Sequence, residues 1–165
     1  MNTAKKRSLG LSTLLLLCTT FFFSHEGLAR ALCVRGEKVN LRSGPGAHHP
    51  VSWVVGLYTP LVQLERRGVW LKVRDQDGEE HWVHHRLVTA SQFRCLAVRS
   101  RIAELKTGPG ARHPAAQLPI ADKYTPFKRL GERGEWYHVE DTSGVKAWIH
   151  ERHVWRPVVV QALEF

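Results

Sequence analysis

The sequence predicts an all-β protein made of two tandem small β-barrels, and three observations carry the prediction. The first is an internal repeat, which decides the fold question before any local reading does: VNLRSGPGAHHP at 39–50 returns as AELKTGPGARHP at 103–114, an offset of 64. The second is a period of two in the apolar residues, the mark of a half-buried strand. Val69, Leu71 and Val73 alternate with Trp70, Lys72 and Arg74. The third is the regular spacing of turn residues, with no stretch beyond residue 31 that reads as an amphipathic helix. Short strands and frequent turns in units of this size suit a small barrel.

Within each copy the elements follow in one order. Gly44-Pro45-Gly46 and Gly108-Pro109-Gly110 break the first strand of each copy at the same place. Tyr58-Thr59-Pro60 and Tyr124-Thr125-Pro126 mark one repeated loop at an offset of 66, so two extra residues fall between Pro114 and Tyr124, where a loop is expected. RRGVWLKV at 66–73 matches ERGEWYHV at 132–139 as the next strand. Asp75 to Gly78 and Asp141 to Gly144 then supply residues that tolerate hairpin backbone, and read as turns. HWVHHRLV at 81–88 matches AWIHERHV at 147–154, with Val83 and Leu87, or Ile149 and Val154, as apolar positions.

What precedes the repeat reads as a leader. Lys5, Lys6 and Arg7 open an apolar run from Leu9 to Phe23, and Ala29-Arg30-Ala31 places small residues at −3 and −1 for cleavage before Leu32. That is the secretory pattern; a spanning helix needs roughly 18–20 apolar residues. The expected division is a leader at 1–31, copy 1 at 32–90, copy 2 at 95–157 and a tail at 158–165, with no stable membrane span after cleavage. The chain of 165 residues has 24 Lys and Arg against 15 Asp and Glu, a formal charge of +9. The leader takes four cations and one anion, leaving +6. Such a charge favours anionic partners, and export makes nucleic acid the least expected of them. The compartment is periplasmic or extracellular.

The motifs point to a family. L-R-S-G-P-G at 41–46, W-L-K-V at 70–73, the D-G turn at 77–78 and the closing W-V-H at 82–84 resemble the bacterial Src-homology-3-like (SH3b) domain. The resemblance covers about 50 residues in each copy, and the second departs from it at Glu104 and Ala147. It implies two SH3-like β-barrels. It also implies a setting in the cell envelope, since some modules of this kind recognise wall peptides while others position proteins.

Removal of Cys18 with the leader leaves Cys33 and Cys95, an even pair in an oxidising compartment. Each begins the leading strand of its copy, six residues before Val39 and eight before Ala103, so a bridge between adjacent entry strands would staple the modules together. Such a bond would be worth about 4 kcal/mol in the chain-entropy model. Two separate buried thiols are the other reading.

For chemistry the sequence offers few handles. It contains no G-x-S-x-G and no H-E-x-x-H, and the cysteines sit where structure accounts for them. Since the two modules fill the chain beyond the leader, the expectation is a protein without enzymatic activity. No cofactor is expected. No metal is expected either, because adjacent His on a strand point to opposite faces, and His150 with His153 lack a third ligand.

The candidate ligand-binding residues are those that recur in register: His49, Tyr58, Trp82, His84 and Arg86 in copy 1, and His113, Tyr124, Trp148, His150 and Arg152 in copy 2. Aromatic walls with cationic neighbours can hold short peptides, and Arg suits the carboxylates of peptidoglycan stems. The expected partner is therefore a peptidoglycan peptide; an adaptor that binds another envelope protein is the alternative.

Overall fold

In the computed structural model, which describes residues 30–90 and 94–157, the repeat folds into the same seven-stranded antiparallel sheet twice. Copy 1 runs β1 (Arg30–Val34), β2 (Val39–Arg42), β3 (Val51–Val55), β4 (Pro60–Arg67), β5 (Trp70–Arg74), β6 (Glu80–His84) and β7 (Val88–Ala90). Copy 2 runs β8 (Cys95–Val98), β9 (Ile102–Lys106), β10 (Ala115–Asp122), β11 (Pro126–Arg133), β12 (Trp136–Glu140), β13 (Lys146–His150) and β14 (Val154–Trp155). The strand order β3-β2-β6-β5-β4-β1-β7 is repeated as β10-β9-β13-β12-β11-β8-β14. A short 3-10 turn, His85–Leu87 or Glu151–His153, leads into the last strand of each copy. The leader site at 29 and before, Cys18 and the tail at 158–165 lie outside the described residues.

Every strand of a copy sends apolar side chains into one shared core, which requires the sheet to curl on itself. Copy 1 buries Leu32 and Val34 from β1, Leu41 from β2, Val55 from β3, Leu61 from β4, Val73 from β5, Val83 from β6 and Val88 from β7. The second core keeps the pattern but redistributes volume. Ala103 stands where copy 1 has Val39, and Phe127 where it has Leu61. A small residue at one site with a large one at another conserves packing volume, which cores tolerate well.

β1 and β8 differ from the other strands because both of their faces are buried. Leu32 and Val34, like Leu96 and Val98, point into their own cores. Ala31, Cys33, Cys95 and Ala97 are 1–4% exposed yet belong to neither core. They face the other module, and there Cys33 is bonded to Cys95 with Cα atoms 6.0 Å apart. The staple expected from the sequence is thus formed between the two leading strands. The contact widens through a copy 2 loop: the Tyr124 ring meets the Trp53 edge at 5.6 Å, its hydroxyl donates to Asp77 at 2.6 Å, and Lys123 pairs with Asp77 at 2.8 Å.

Three local expectations change. Val69 is 47% exposed in the β4–β5 turn beside Gly68, whose φ is +57°, so the strand starts at Trp70. Leu87 is exposed, and the neighbouring Val88 takes the buried place. The two extra residues of copy 2 are absorbed by a register shift inside β10, between Ala115 and Ile120, rather than by a loop. The Asp-to-Gly hairpin turns stand as expected: the Asp75 carboxylate accepts the amides of Asp77 and Glu79, and Asp141 those of Ser143 and Val145.

Candidate functional site

An open site lies on copy 2, where the end of β13 and the 3-10 turn stand beside the start of β12. The His150 ring meets the Trp136 ring edge-on at 5.1 Å. Its Nδ1 accepts the amide of Arg152, capping the 3-10 turn, while Nε2 lies 3.3 Å from the Glu135 carboxylate. Across the depression, whose volume is about 540 Å³, Lys106 pairs with Glu104 at 3.0 Å. The Lys106 ammonium holds the Glu104 carboxyl below the usual carboxylate range. Next to Arg152, burial and then the guanidinium charge lower the His153 pKa. A neutral His153 can accept from Arg152 Nε at 3.0 Å while its Nδ1 stands 2.9 Å from Ser100. The cleft therefore presents an indole face with fixed charges of both signs.

The same position on copy 1 is cationic only. Trp70 and His84 keep the edge-on contact at 5.6 Å, and His84 caps its turn through the amide of Arg86. Asn40 and Val69, however, replace the acids of copy 2. His85 stacks on His84 at 4.9 Å, and burial followed by the charges of His84, Arg66 and Arg86 depresses its pKa.

The structure separates the residues singled out from the sequence. His84 lies beside Trp70, and its Nδ1 accepts the amide of Arg86, while His150 and Arg152 line one cleft with Trp136. Trp82 is only 7% exposed, covered by the Arg67 guanidinium at 5.2 Å, and Trp148 stacks on His138 at 4.8 Å. His49 and His113 are wedged beneath the Gly-Pro-Gly turns, where a Cβ on Gly44 or Gly108 would come within 2.5 Å of the ring. Arg42 fastens that loop by donating to the His49 carbonyl at 2.7 Å. Tyr58 and Tyr124 both adopt left-handed backbone, φ +67° and +73°, and stand at the junction between the modules. Sequence reasoning missed Trp136, Glu135 and Lys106 as parts of one cleft. The pairing of β12 with β13, which sets Trp136 opposite His150, is what joins them. Among the described residues no group of three or more His, Cys, Asp or Glu side chains is arranged to hold a metal ion.

A family model described as bacterial SH3 domain matches residues 35–89 and 102–156. A stretch of 52 residues is 44% identical to the probable cell wall amidase LytH of Staphylococcus aureus, covering 31% of this chain and 17% of that protein. The chain thus spans about a sixth of the curated relatives it matches. Similar solved structures include an NlpC/P60 family protein from Bacillus cereus ATCC 10987, at 14% identity over 76% of this chain and 55% of that one, with a TM-score of 0.37. Another is NlpC1 from Trichomonas vaginalis, at 10% identity over 81% of this chain and 49% of that one, TM-score 0.33. The amidase match corrects the expectation of a protein without enzymatic activity. A stretch of this chain is similar to part of a protein named as an enzyme, a probable cell wall amidase. The possession of two such modules is therefore no ground for excluding catalysis.

Proposed function

Since the chain belongs to the bacterial SH3 domain family, with two copies of the domain, we propose that it is an exported cell-envelope protein that binds peptidoglycan peptides through the cleft of its second module. The family and the amidase relative support a cell-wall setting. Among the described residues no helix is long and apolar enough to cross a membrane. The observation that carries the reading is the mixed charge around Trp136. Stem peptides bear both free carboxylates and amines, and a cleft with Arg152 and Lys106 on one hand and Glu135 and Glu104 on the other offers each a partner. The indole adds a flat apolar wall that tolerates varied peptide backbones. Copy 1, lacking the acids, would add weaker contacts with anionic polymer, and a rigid pair gains avidity from the second contact.

Co-sedimentation of the oxidised protein with protein-free peptidoglycan tests this. Retention at physiological salt should fall about tenfold in Trp136→Ala, the loss typical of a central aromatic anchor. An intact, folded protein that stays in the supernatant at every salt concentration would refute wall binding. Specific capture of one envelope protein instead would establish the adaptor reading.

A further inference from the structure

We propose that copy 1 holds a second, independent site, an acyl-transfer centre built from Ser52, His81 and Asp75, whose substrates are carboxylic esters. Ser52 Oγ lies 2.8 Å from His81 Nδ1, and His81 Nε2 lies 3.4 Å from Asp75 Oδ2. A hydroxyl, an imidazole and a carboxylate in series are the parts of an activated nucleophile, recognised by geometry and not by sequence spacing.

Each member is held by something other than the series itself. Asp75 uses Oδ1 to accept the amides of Asp77 and Glu79 in the hairpin turn, which leaves Oδ2 for the imidazole. His81 is buried at 8% exposure on the inward side of β6, with the Trp53 ring 6.0 Å away. The carboxylate at Nε2 favours the proton on that nitrogen, so the Nδ1 lone pair is free to take the serine proton. Ser52 is the extra residue of a β-bulge: Leu41 pairs with Trp53 and Arg42 with Val51, leaving Ser52 between them. A bulge re-aims one side chain out of the strand alternation and is common beside active sites. Here it turns the hydroxyl of an exposed residue onto a buried base.

The repeat supplies the internal comparison. Copy 2 keeps the turn carboxylate as Asp141 but has Ala116 for Ser52 and Ala147 for His81, both buried in its core. The barrel therefore closes without the serine or the histidine, and copy 1 buries a polar ring that the fold does not demand. A depression of about 550 Å³ opens over Ser52 and His81, walled by Trp53 and by Tyr124 from copy 2. Asp77, Glu79 and Glu80 rim it, Asp77 paired with Lys123 and Glu80 with Lys72 and Arg74.

In the step, Ser52 Oγ forms a bond to the carbonyl carbon, whose π pair moves onto its oxygen to give a tetrahedral oxyanion, as the serine proton passes to His81 Nδ1 and the Asp75 carboxylate steadies the imidazolium. Collapse breaks the carbon–oxygen bond of the leaving group, which takes the proton from His81. Water, deprotonated by the same ring, then adds to the acyl-serine and releases the acid, restoring all three residues.

The oxidised protein should react with a fluorophosphonate, a phosphorus–oxygen bond forming at Ser52 as fluoride leaves, and should release p-nitrophenol from p-nitrophenyl acetate in a burst. Peptide mapping should place the adduct on Ser52. His81→Ala should slow labelling by roughly 10²- to 10⁴-fold, the usual contribution of a positioned base. Asp75→Asn retains a side-chain oxygen for the turn and should slow it by at least about 10²-fold, so the series can be tested even if His81→Ala fails to fold. Ser43→Ala, a change at another serine facing the depression, should label as the parent does. Absence of an adduct on Ser52 in the folded parent, or labelling indifferent to both His81 and Asp75, would overturn the proposal. Neither result bears on Trp136 or on wall binding.

Discussion

Replacing both Cys33 and Cys95 by Ala isolates what the bridge does. The substitution is sterically mild, because the leading strands read RALCV at 30–34 and RCLAV at 94–98, so each Cys already has an Ala at the matching position of the other copy. The bond closes a loop of 62 residues. Chain-entropy bookkeeping for that length gives about 4 kcal/mol of stabilisation, gained by restricting the unfolded chain. Urea unfolding followed by Trp fluorescence reads the change directly. With a slope of about 2 kcal/mol/M, ordinary for a small protein, the midpoint should fall by roughly 2 M. The remaining junction is small: Ala31 and Ala97 between the leading strands, Trp53 on Tyr124 and Lys123 on Asp77. The variant should therefore show two transitions where the parent shows one. A single transition with an unchanged midpoint would refute the reasoning, since it would mean that the modules are held together by packing alone.

Other outcomes follow from single contacts. Gly108→Ala would put a methyl group 2.5 Å from the His113 ring and should cost about 1–3 kcal/mol in urea unfolding. Gly131→Ala meets nothing within 4 Å and should stay within about 0.5 kcal/mol of the parent. The Asp77 carboxyl is held below its ordinary range by hydrogen bonds from Lys123 and Tyr124. A depressed carboxyl contributes stability that is present above the unfolded pKa and lost as pH falls through the folded one. The acid limb of a Tm-versus-pH curve should thus be flatter in Asp77→Asn than in the parent, and identical limbs would remove Asp77 from the junction.

The fold was legible because its signals are local and doubled. Alternation, the Asp-to-Gly turns and the Gly-Pro-Gly loops each occur twice, and every instance constrains the other. The candidate site was less legible because its members meet through pairing register, which sequence does not display. His84 and Trp70 are 14 residues apart and touch only because β5 and β6 pair. Trp82 lies outside the core cluster, yet the long side chain of Arg67 covers it, and no periodicity encodes that cover. Ser52 and His81 were invisible for a sharper reason: a one-residue bulge in β3 decides where the serine points. One signal was available, the replacement of Ser52 and His81 by Ala in a copy that otherwise keeps the turn. Polar residues that one repeat has and its twin lacks are where the fold has stopped dictating identity.

If the leader expected from the sequence is cleaved, the start of β1 bears on where. Arg30 pairs with Gln63 and Ala31 with Val62, and Ala31 is 1% exposed against the other module. Cleavage before Leu32 would remove both residues from the ladder, along with hydrogen bonds worth about 0.5–1.5 kcal/mol each. It would also set a charged amine beside the buried junction, where an unpartnered charge is costly. Gly27-Leu28-Ala29 offers the same small residues at −3 and −1 two positions earlier, and cleavage there leaves β1 whole. If the chain is exported and processed, N-terminal sequencing should therefore read Arg-Ala-Leu-Cys. A sequence beginning Leu-Cys would show that the junction forms without those pairs, and that Ala31 is buried only in the uncleaved chain.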